Sequence, residues 1–194
     1  MPVTPLDSLP MLTLLLAQQL VIGLSMGFAV RLVFAALEFA GEIIGLQMGL
    51  NFAGFFDPAT AQQATATSSF FSTMVAFLFI AMNGHLLVIE AVVQSLVAFP
   101  VAPEPFAFLH TVRPETWGAE IFRLGLWIAL PLIAMLLFVN MMLGIIARVA
   151  PQISIFSVGF PITLGVGLVG VMFTLPLLQG PFTVALEQML TLFR

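Results

Sequence analysis

The sequence predicts an all-α integral membrane protein whose long, kinked helices and helical hairpins pack into a multi-subunit helical assembly. Composition is the first ground. The chain is 61% hydrophobic and 7% charged over 194 residues, whereas a soluble domain carries about 25% charged residues. The second ground is patterning. Four apolar blocks recur, at about residues 9–50, 68–99, 117–149 and 153–193, each longer than the ~20 residues that cross a bilayer core. The third is a run of glycines at every fourth position, Gly41, Gly45 and Gly49. Residues four apart share a helix face, and small residues there let membrane helices approach closely. The blocks read as one membrane domain over residues 1–194.

The first block is informative because it is too long. From Leu9 to Leu50 it runs about 42 residues and would reach ~63 Å at ~1.5 Å per residue. A hydrocarbon core is only ~30 Å thick, so the block either folds into a hairpin or continues as a helix beyond the bilayer. Angular placement favours continuity. At ~100° per residue, Gly23, Gly27, Arg31, Glu38, Gly41, Glu42, Gly45 and Gly49 fall in one sector roughly 100° wide. Ile22, Ala29, Val33, Ala36, Ala40, Ile43 and Ile44 fall opposite. Every charge of the block therefore lies on the glycine face. A charge facing mid-bilayer lipid costs at least ~2.5–3.5 kcal/mol, so this face should meet protein or water. Arg31 and Glu38 either neutralise one another or pair with another chain. Packing between subunits is preferred over packing within the chain, because four blocks supply few helices to cover so long a stripe.

The helical pattern should fail at Gly54 and Pro58, leaving a phenylalanine-rich loop over residues 51–67 with Phe52, Phe55, Phe56 and Asp57. Without further information, those rings would be read as lipid anchors.

The second block opens on small polar residues and is interrupted at Asn83-Gly84-His85. His85 reads as a structural, hydrogen-bonded residue rather than a proton relay. Glu90 is five residues on, about 140° around a helix, and makes no natural pair with it. A proline-rich connector follows at residues 100–115. The third block carries Pro131, which should kink it, and Met135, Met141 and Met142, adaptable gap-fillers. Asn140 is placed to hydrogen-bond across helices. The fourth block is punctuated by Gly159, Pro161, Gly165, Gly167, Gly170, Pro176, Gly180 and Pro181, which predicts a hairpin or several short helices. Its amphipathic end, FTVALEQMLTLFR, should be a short terminal helix. Arg148, Pro151 and Gln152 mark the turn between the last two blocks. If each block crosses once, Arg113, Arg123 and Arg194 share one side and Arg148 lies on the other. The excess of arginine then places the C-terminus in the cytoplasm.

Several functions are excluded. There is no lysine and only five arginines against nine carboxylates, for a net charge of −4, so no basic patch for nucleic acid exists. There is no cysteine, hence no disulfide, thiolate metal site or cysteine nucleophile. Two histidines alone make a poor zinc site. No HExxH, GxSxG or P-loop motif occurs. Neither enzymatic activity nor a cofactor is expected. The N-terminus, MPVTPLDSLP, lacks a basic region and does not read as a cleaved signal peptide. Glu38, Glu42 and Glu90 leave one alternative open, a small proton-coupled secondary transporter.

Three stretches carry a resemblance. GLQMGLNFAGFFDP (Gly45 to Pro58), NGHLLVI (Asn83 to Ile89) and RVAPQISIFSVGFPITLGVGL (Arg148 to Leu168) resemble the FliR family of flagellar biosynthesis proteins, whose virulence-secretion relatives are the SctT proteins. The likeness runs from about Leu12 to Leu192, and FFDP and NGHLLVI lean flagellar. It implies a non-enzymatic subunit of the type III export gate in the bacterial inner membrane, at the flagellar basal body. The implied partners are FliP-like and FliQ-like subunits, a FlhB-like subunit, membrane lipid, and exported flagellar proteins in passage. It also implies that the 51–67 loop plugs the closed pore, with Phe52, Phe55, Phe56, Asp57 and Pro58 as the plug residues. Asn83, His85, Arg148, Pro151, Gln152, Gly159 and Pro161 become structural or subunit-contacting positions. Family members usually begin with a further hydrophobic region, and this chain begins where that region ends.

Overall fold

The computed structural model describes residues 9–50, 66–99, 117–150 and 158–193. The described elements are all helical: α1 (Leu9–Gln47), α2 (Ala66–Ala81), α3 (Gly84–Ala98), α4 (Trp117–Val149), α5 (Phe160–Thr174), a 3-10 turn (Leu175–Leu178) and α6 (Gln179–Thr191). Three stretches are long and apolar enough to cross a membrane: Thr13–Gln47, Trp117–Val149 and Phe160–Thr191. The pair α2 and α3 makes a fourth if their bend lies within one span.

The first block is one helix of 39 residues, not a hairpin. Pro10 sits in its first turn, where its missing N–H is no loss, and no proline follows before its end. It stops earlier than Gly54. Gly49 adopts φ 78°, a left-handed conformation that terminates helices and suits glycine. The Met48 N–H still donates to the Ile44 carbonyl at 3.0 Å, and the Gly49 N–H to Leu46 at 3.0 Å. Gly49, expected on the packing stripe, is thus the helix stop.

The break in the second block falls at Asn83-Gly84, and the two helices bend by 67°. Asn83 takes φ 57°, and its carbonyl accepts from the Leu86 N–H at 2.8 Å. Gly84 is buried, and a Cβ there would meet the Phe79 ring at 2.5 Å. The bend is carried by these two residues; His85 is exposed in the first turn of α3.

α4 has the bounds expected of the third block and runs on through Pro131. The fourth block contains no hairpin among its described residues. Pro176 and the Gly180-Pro181 pair tighten the chain into a 3-10 turn without reversing it, so short helical pieces run end to end. Threonines within it return their hydroxyls to the preceding turn: Thr163 to Gly159 at 3.1 Å, Thr174 to Gly170 at 2.8 Å and Thr183 to Gln179 at 2.7 Å. Such local bonds let a polar side chain sit on an apolar helix.

α1 is the hub, packing against α2, α4 and α6. Its core face carries Ile22, Ala29, Val33, Ala36, Ala40 and Ile44, six of the seven residues expected opposite the glycines. Named contacts fix the directions. Phe28 stacks on Trp117 at 6.1 Å, and eight residues further on in both helices the Ala36 carbonyl sits at Gly125. α1 and α4 are therefore parallel. α2 is antiparallel to α1, since Gly41 meets Ser68 and Phe71 while Phe34 meets Phe79. α6 is antiparallel as well, with Phe34 against Phe182 and Trp117 against Phe193.

Candidate functional site

The glycine face of α1 divides at Arg31. Below it, α2 covers the face. A Cβ on Gly41 would stand 3.0 Å from the Ser68 Cα and 3.1 Å from the Phe71 side chain, so only a glycine lets the two helices lie so close. Gly45 is buried too, and Glu42 is exposed. Above Arg31 the face is open. Gly23 and Gly27 have no heavy atom within 4 Å of an added Cβ. Leu16, Leu20, Leu24 and Phe28 flank them, 52–71% exposed. Among the described residues, half of the stripe is covered by the chain itself and half is bare.

Between the halves lies a polar joint. Both terminal nitrogens of Arg31 donate to the Glu38 carboxylate, at 3.0 and 2.9 Å. Ser72 of α2 donates its hydroxyl to the same carboxylate at 2.9 Å. The Ser68 hydroxyl donates to the Glu38 backbone carbonyl at 3.3 Å. A bidentate guanidinium–carboxylate pair is a strong, oriented arrangement. Arg31 and Glu38 are two turns apart, so their side chains run along one face to meet. Of the two sequence alternatives, mutual neutralisation is the one observed.

The remaining candidates are scattered. Asn83 lies at the α2–α3 break, Arg148 is exposed in the last turn of α4, Gly159 is buried, and Pro161 is exposed in the first turn of α5. Arg148 suits the negative end of the helix dipole. Phe52, Phe55, Phe56, Asp57, Pro58, Pro151 and Gln152 lie outside the described residues. Glu90 accepts from the Gln94 side chain at 2.9 Å. No group of three potential metal ligands occurs among the described residues.

Two features escape a residue-by-residue reading. One is a cleft of about 420 Å³ between α1, α4 and α6. At its rim Arg123 meets Glu120 at 2.7 Å, one turn apart on α4. The other is a common height. Because α1 and α4 run parallel in the register of Phe28 with Trp117, Arg31 lies level with Glu120. Antiparallel α6 brings Gln188 to the same cleft. Polar side chains of three helices thus form a belt. The i, i+3 spacing of Glu120 and Arg123 was visible in sequence; the height they share with Arg31 required the helix register.

The chain matches the model of the bacterial export proteins, family 1, over residues 1–189. It is 43% identical over 188 residues to the flagellar biosynthetic protein FliR of Pectobacterium carotovorum subsp. carotovorum, a match covering 93% of this chain and 70% of the relative. The chain belongs to the FliR family. FliR of Escherichia coli (strain K12) is 42% identical over the same shares, and FliR of Bacillus subtilis (strain 168) is 30% identical over 80% of this chain and 61% of the relative. Family membership extends across the stretches that carry the open glycine face, the Arg31–Glu38 joint and the Asn83 bend.

Proposed function

We propose that this chain is a non-enzymatic stave of the flagellar type III export gate in the bacterial inner membrane, assembled beside FliP-like and FliQ-like subunits with a FlhB-like subunit nearby. The observation that carries the reading is the upper half of α1. It projects past the polar belt, and it presents Gly23, Gly27 and a ridge of leucines to nothing among the described residues. Contiguous exposed apolar surface rimmed by polar residues marks an interaction site. The open GxxxG spacing favours a helix as the partner. The joint at Arg31 then closes the contact with a charge pair that is already neutral, so the partner meets no bare charge. In this reading the 51–67 loop, with Phe52, Phe55, Phe56, Asp57 and Pro58, blocks the closed pore, and exported flagellar proteins pass once it moves.

The transporter alternative is less well supported. Glu38, its best-placed carboxylate, is engaged by Arg31 and Ser72, whereas a proton carrier must be free to release and rebind its proton.

The test is co-purification. A tagged copy of the chain, expressed with FliP-like and FliQ-like proteins and extracted in mild detergent, should bring both down. A Gly23→Leu/Gly27→Leu variant that remains folded should lose them. Substrate flux through the purified chain alone, or undiminished partner recovery with the leucine variant, would overturn the reading.

A further inference from the structure

We infer that α1 makes a second contact beyond the Arg31–Glu38 joint, in which a basic side chain on a neighbouring subunit's helix pairs with Glu42. The inference rests on the export-gate reading, which sets a neighbour along the open half of α1, and it states what that neighbour must carry. The exposed stripe does not end at the joint. At ~100° per residue, Leu24, Phe28, Arg31, Glu38, Glu42 and Leu46 fall in one sector about 80° wide. Leu24, Phe28 and Leu46 are exposed apolar residues, and Glu42 is exposed between the joint and Leu46. A helix that follows the stripe past the joint therefore arrives on a carboxylate.

The flanks of this lower stretch belong to the chain itself. On one side of Glu42, α2 lies against Gly41 through Ser68 and Phe71. On the other, Phe39 meets the Phe122 ring of α4 edge-on at 5.2 Å. Glu42 projects between the two contacts and has no hydrogen bond or ion pair among the described residues. Glu38, one turn away, is held by both Arg31 and Ser72. Two carboxylates of one face thus differ: one is neutralised within the chain, and one is left open.

The charge census points outside the chain for the missing cation. There is no lysine, and there are five arginines. Arg31 is bonded to Glu38 and Arg123 to Glu120. The parallel register of Phe28 with Trp117 and Ala36 with Gly125 puts Glu42 level with Pro131. Arg148 is then about 17 residues, or ~25 Å, further along. Arg113 and Arg194 lie outside the described residues. They attach close to Trp117 and Phe193, whose rings meet level with Phe28, about 14 residues or ~21 Å up α1 from Glu42. Within residues 51–67 the one charged side chain is Asp57, an anion. A neighbour that covers this stretch removes water from a carboxylate. An unpaired buried charge is strongly unfavourable, whereas a guanidinium or ammonium on the docking helix makes it a charge-assisted bond. Opposite charge at this one height would also fix the register of the two helices.

The experiment uses the full chain co-expressed with FliP-like and FliQ-like proteins. A photoreactive Leu46→p-benzoylphenylalanine, one turn from Glu42, is irradiated in the complex, and the cross-linked peptide is sequenced by mass spectrometry. A partner peptide with arginine or lysine within about one turn of the cross-link is expected. Glu42→Arg should cut recovery of that partner about tenfold or more while circular dichroism shows the helices intact. Changing the partner's basic residue to glutamate in the same cells should restore recovery. Wild-type recovery with a folded Glu42→Arg chain would overturn the inference. So would a cross-link to lipid alone, a captured peptide without a basic residue at that height, or a charge swap that restores nothing. Gly23→Leu/Gly27→Leu separates this inference from the reading it rests on. If that variant loses its partners and Glu42→Arg keeps them, the export-gate reading stands and the Glu42 pair falls; if both keep them, both fall. Should Glu42→Arg fail to fold, the captured peptide decides alone.

Discussion

Arg31 and Glu38 lock together along one face of α1 through two hydrogen bonds of 3.0 and 2.9 Å, and Ser72 of α2 ties the pair to the rest of the chain. The joint sits where the covered half of the glycine face gives way to the bare half. Its energetic weight depends on what surrounds it. In the chain alone the Arg31 side chain is 61% exposed, and an exposed pair is worth no more than about 1 kcal/mol. Covered by a partner helix, the same pair loses its water, and removing one member then costs about 3–5 kcal/mol. Arg31→Leu should therefore shift the thermal midpoint of the detergent-solubilised chain little, yet sharply reduce partner recovery. Arg31→Leu/Glu38→Leu should recover more partner than Arg31→Leu, since no uncompensated carboxylate remains. A double variant that assembles worse than the single one would show that the pair makes its own contact with the partner.

The glycines divide into two kinds, with opposite expected outcomes. A Cβ on Gly125 would stand 2.7 Å from the Ala36 carbonyl oxygen, a backbone atom that cannot swing aside. Gly125→Val should separate α1 from α4 and cost about 1–3 kcal/mol, the usual range for overpacking. Gly23 and Gly27 open on empty space, so Gly23→Ala/Gly27→Ala should leave the fold unchanged or slightly firmer, because alanine is the better helix former by up to ~1 kcal/mol. Thermal unfolding followed by circular dichroism in detergent separates the two cases.

This division explains what could be read from the sequence and what could not. Angular placement separated the glycine face from the Ile22–Ile44 face correctly, because helix geometry alone sets it. The occupant of the glycine face was not legible. That depends on where α2 returns, and the antiparallel placement of Ser68 and Phe71 against Gly41 is a tertiary fact. The bounds of α4 were legible because a charged or polar flank stands at each end. The stop at Gly49 was missed because its spacing from Gly41 and Gly45 fits the stripe, and left-handed glycine has no signature in spacing. The fourth block was over-read in its hairpin version: proline and glycine relax a helix locally, but reversal also needs polar turn residues, and Leu175–Leu178 supplies none. The belt joining Arg31, Glu120 and Gln188 required helix directions, which a single sequence does not contain.

The Asn83 bend should respond to backbone chemistry rather than to side-chain loss. At φ 57° most residues pay about 1–2 kcal/mol, while asparagine and glycine tolerate the conformation. Asn83→Gly should be near neutral, and Asn83→Val should destabilise by about that amount or straighten the α2–α3 pair. Gly84→Ala should also be harmful, since the added carbon meets the Phe79 ring and its carbonyl. Thermal midpoints give the cost, and distances between spin labels near Thr73 and Gln94 report the angle. Equal tolerance of glycine and valine at position 83 would show that the bend is not held by Asn83.

The plug reading makes the most demanding prediction, because it concerns ion flow and not assembly. Phe55 and Phe56 offer two large rings in adjacent positions, and a constriction lined by aromatic rings excludes water and so excludes ions, which cannot shed their hydration without a polar substitute. Glycine at both positions removes that volume while leaving Asp57 and Pro58 unchanged. The Phe55→Gly/Phe56→Gly complex should therefore retain its FliP-like and FliQ-like partners and yet conduct ions severalfold above the wild-type complex in planar bilayers. Cells that express it should show a lowered membrane potential. If the rings instead anchor the loop in lipid, their loss should loosen assembly without opening a path: partner recovery falls and conductance stays at the wild-type level. The two outcomes are opposite in both measurements, so one preparation, assayed for subunit content and for conductance, decides between plug and anchor.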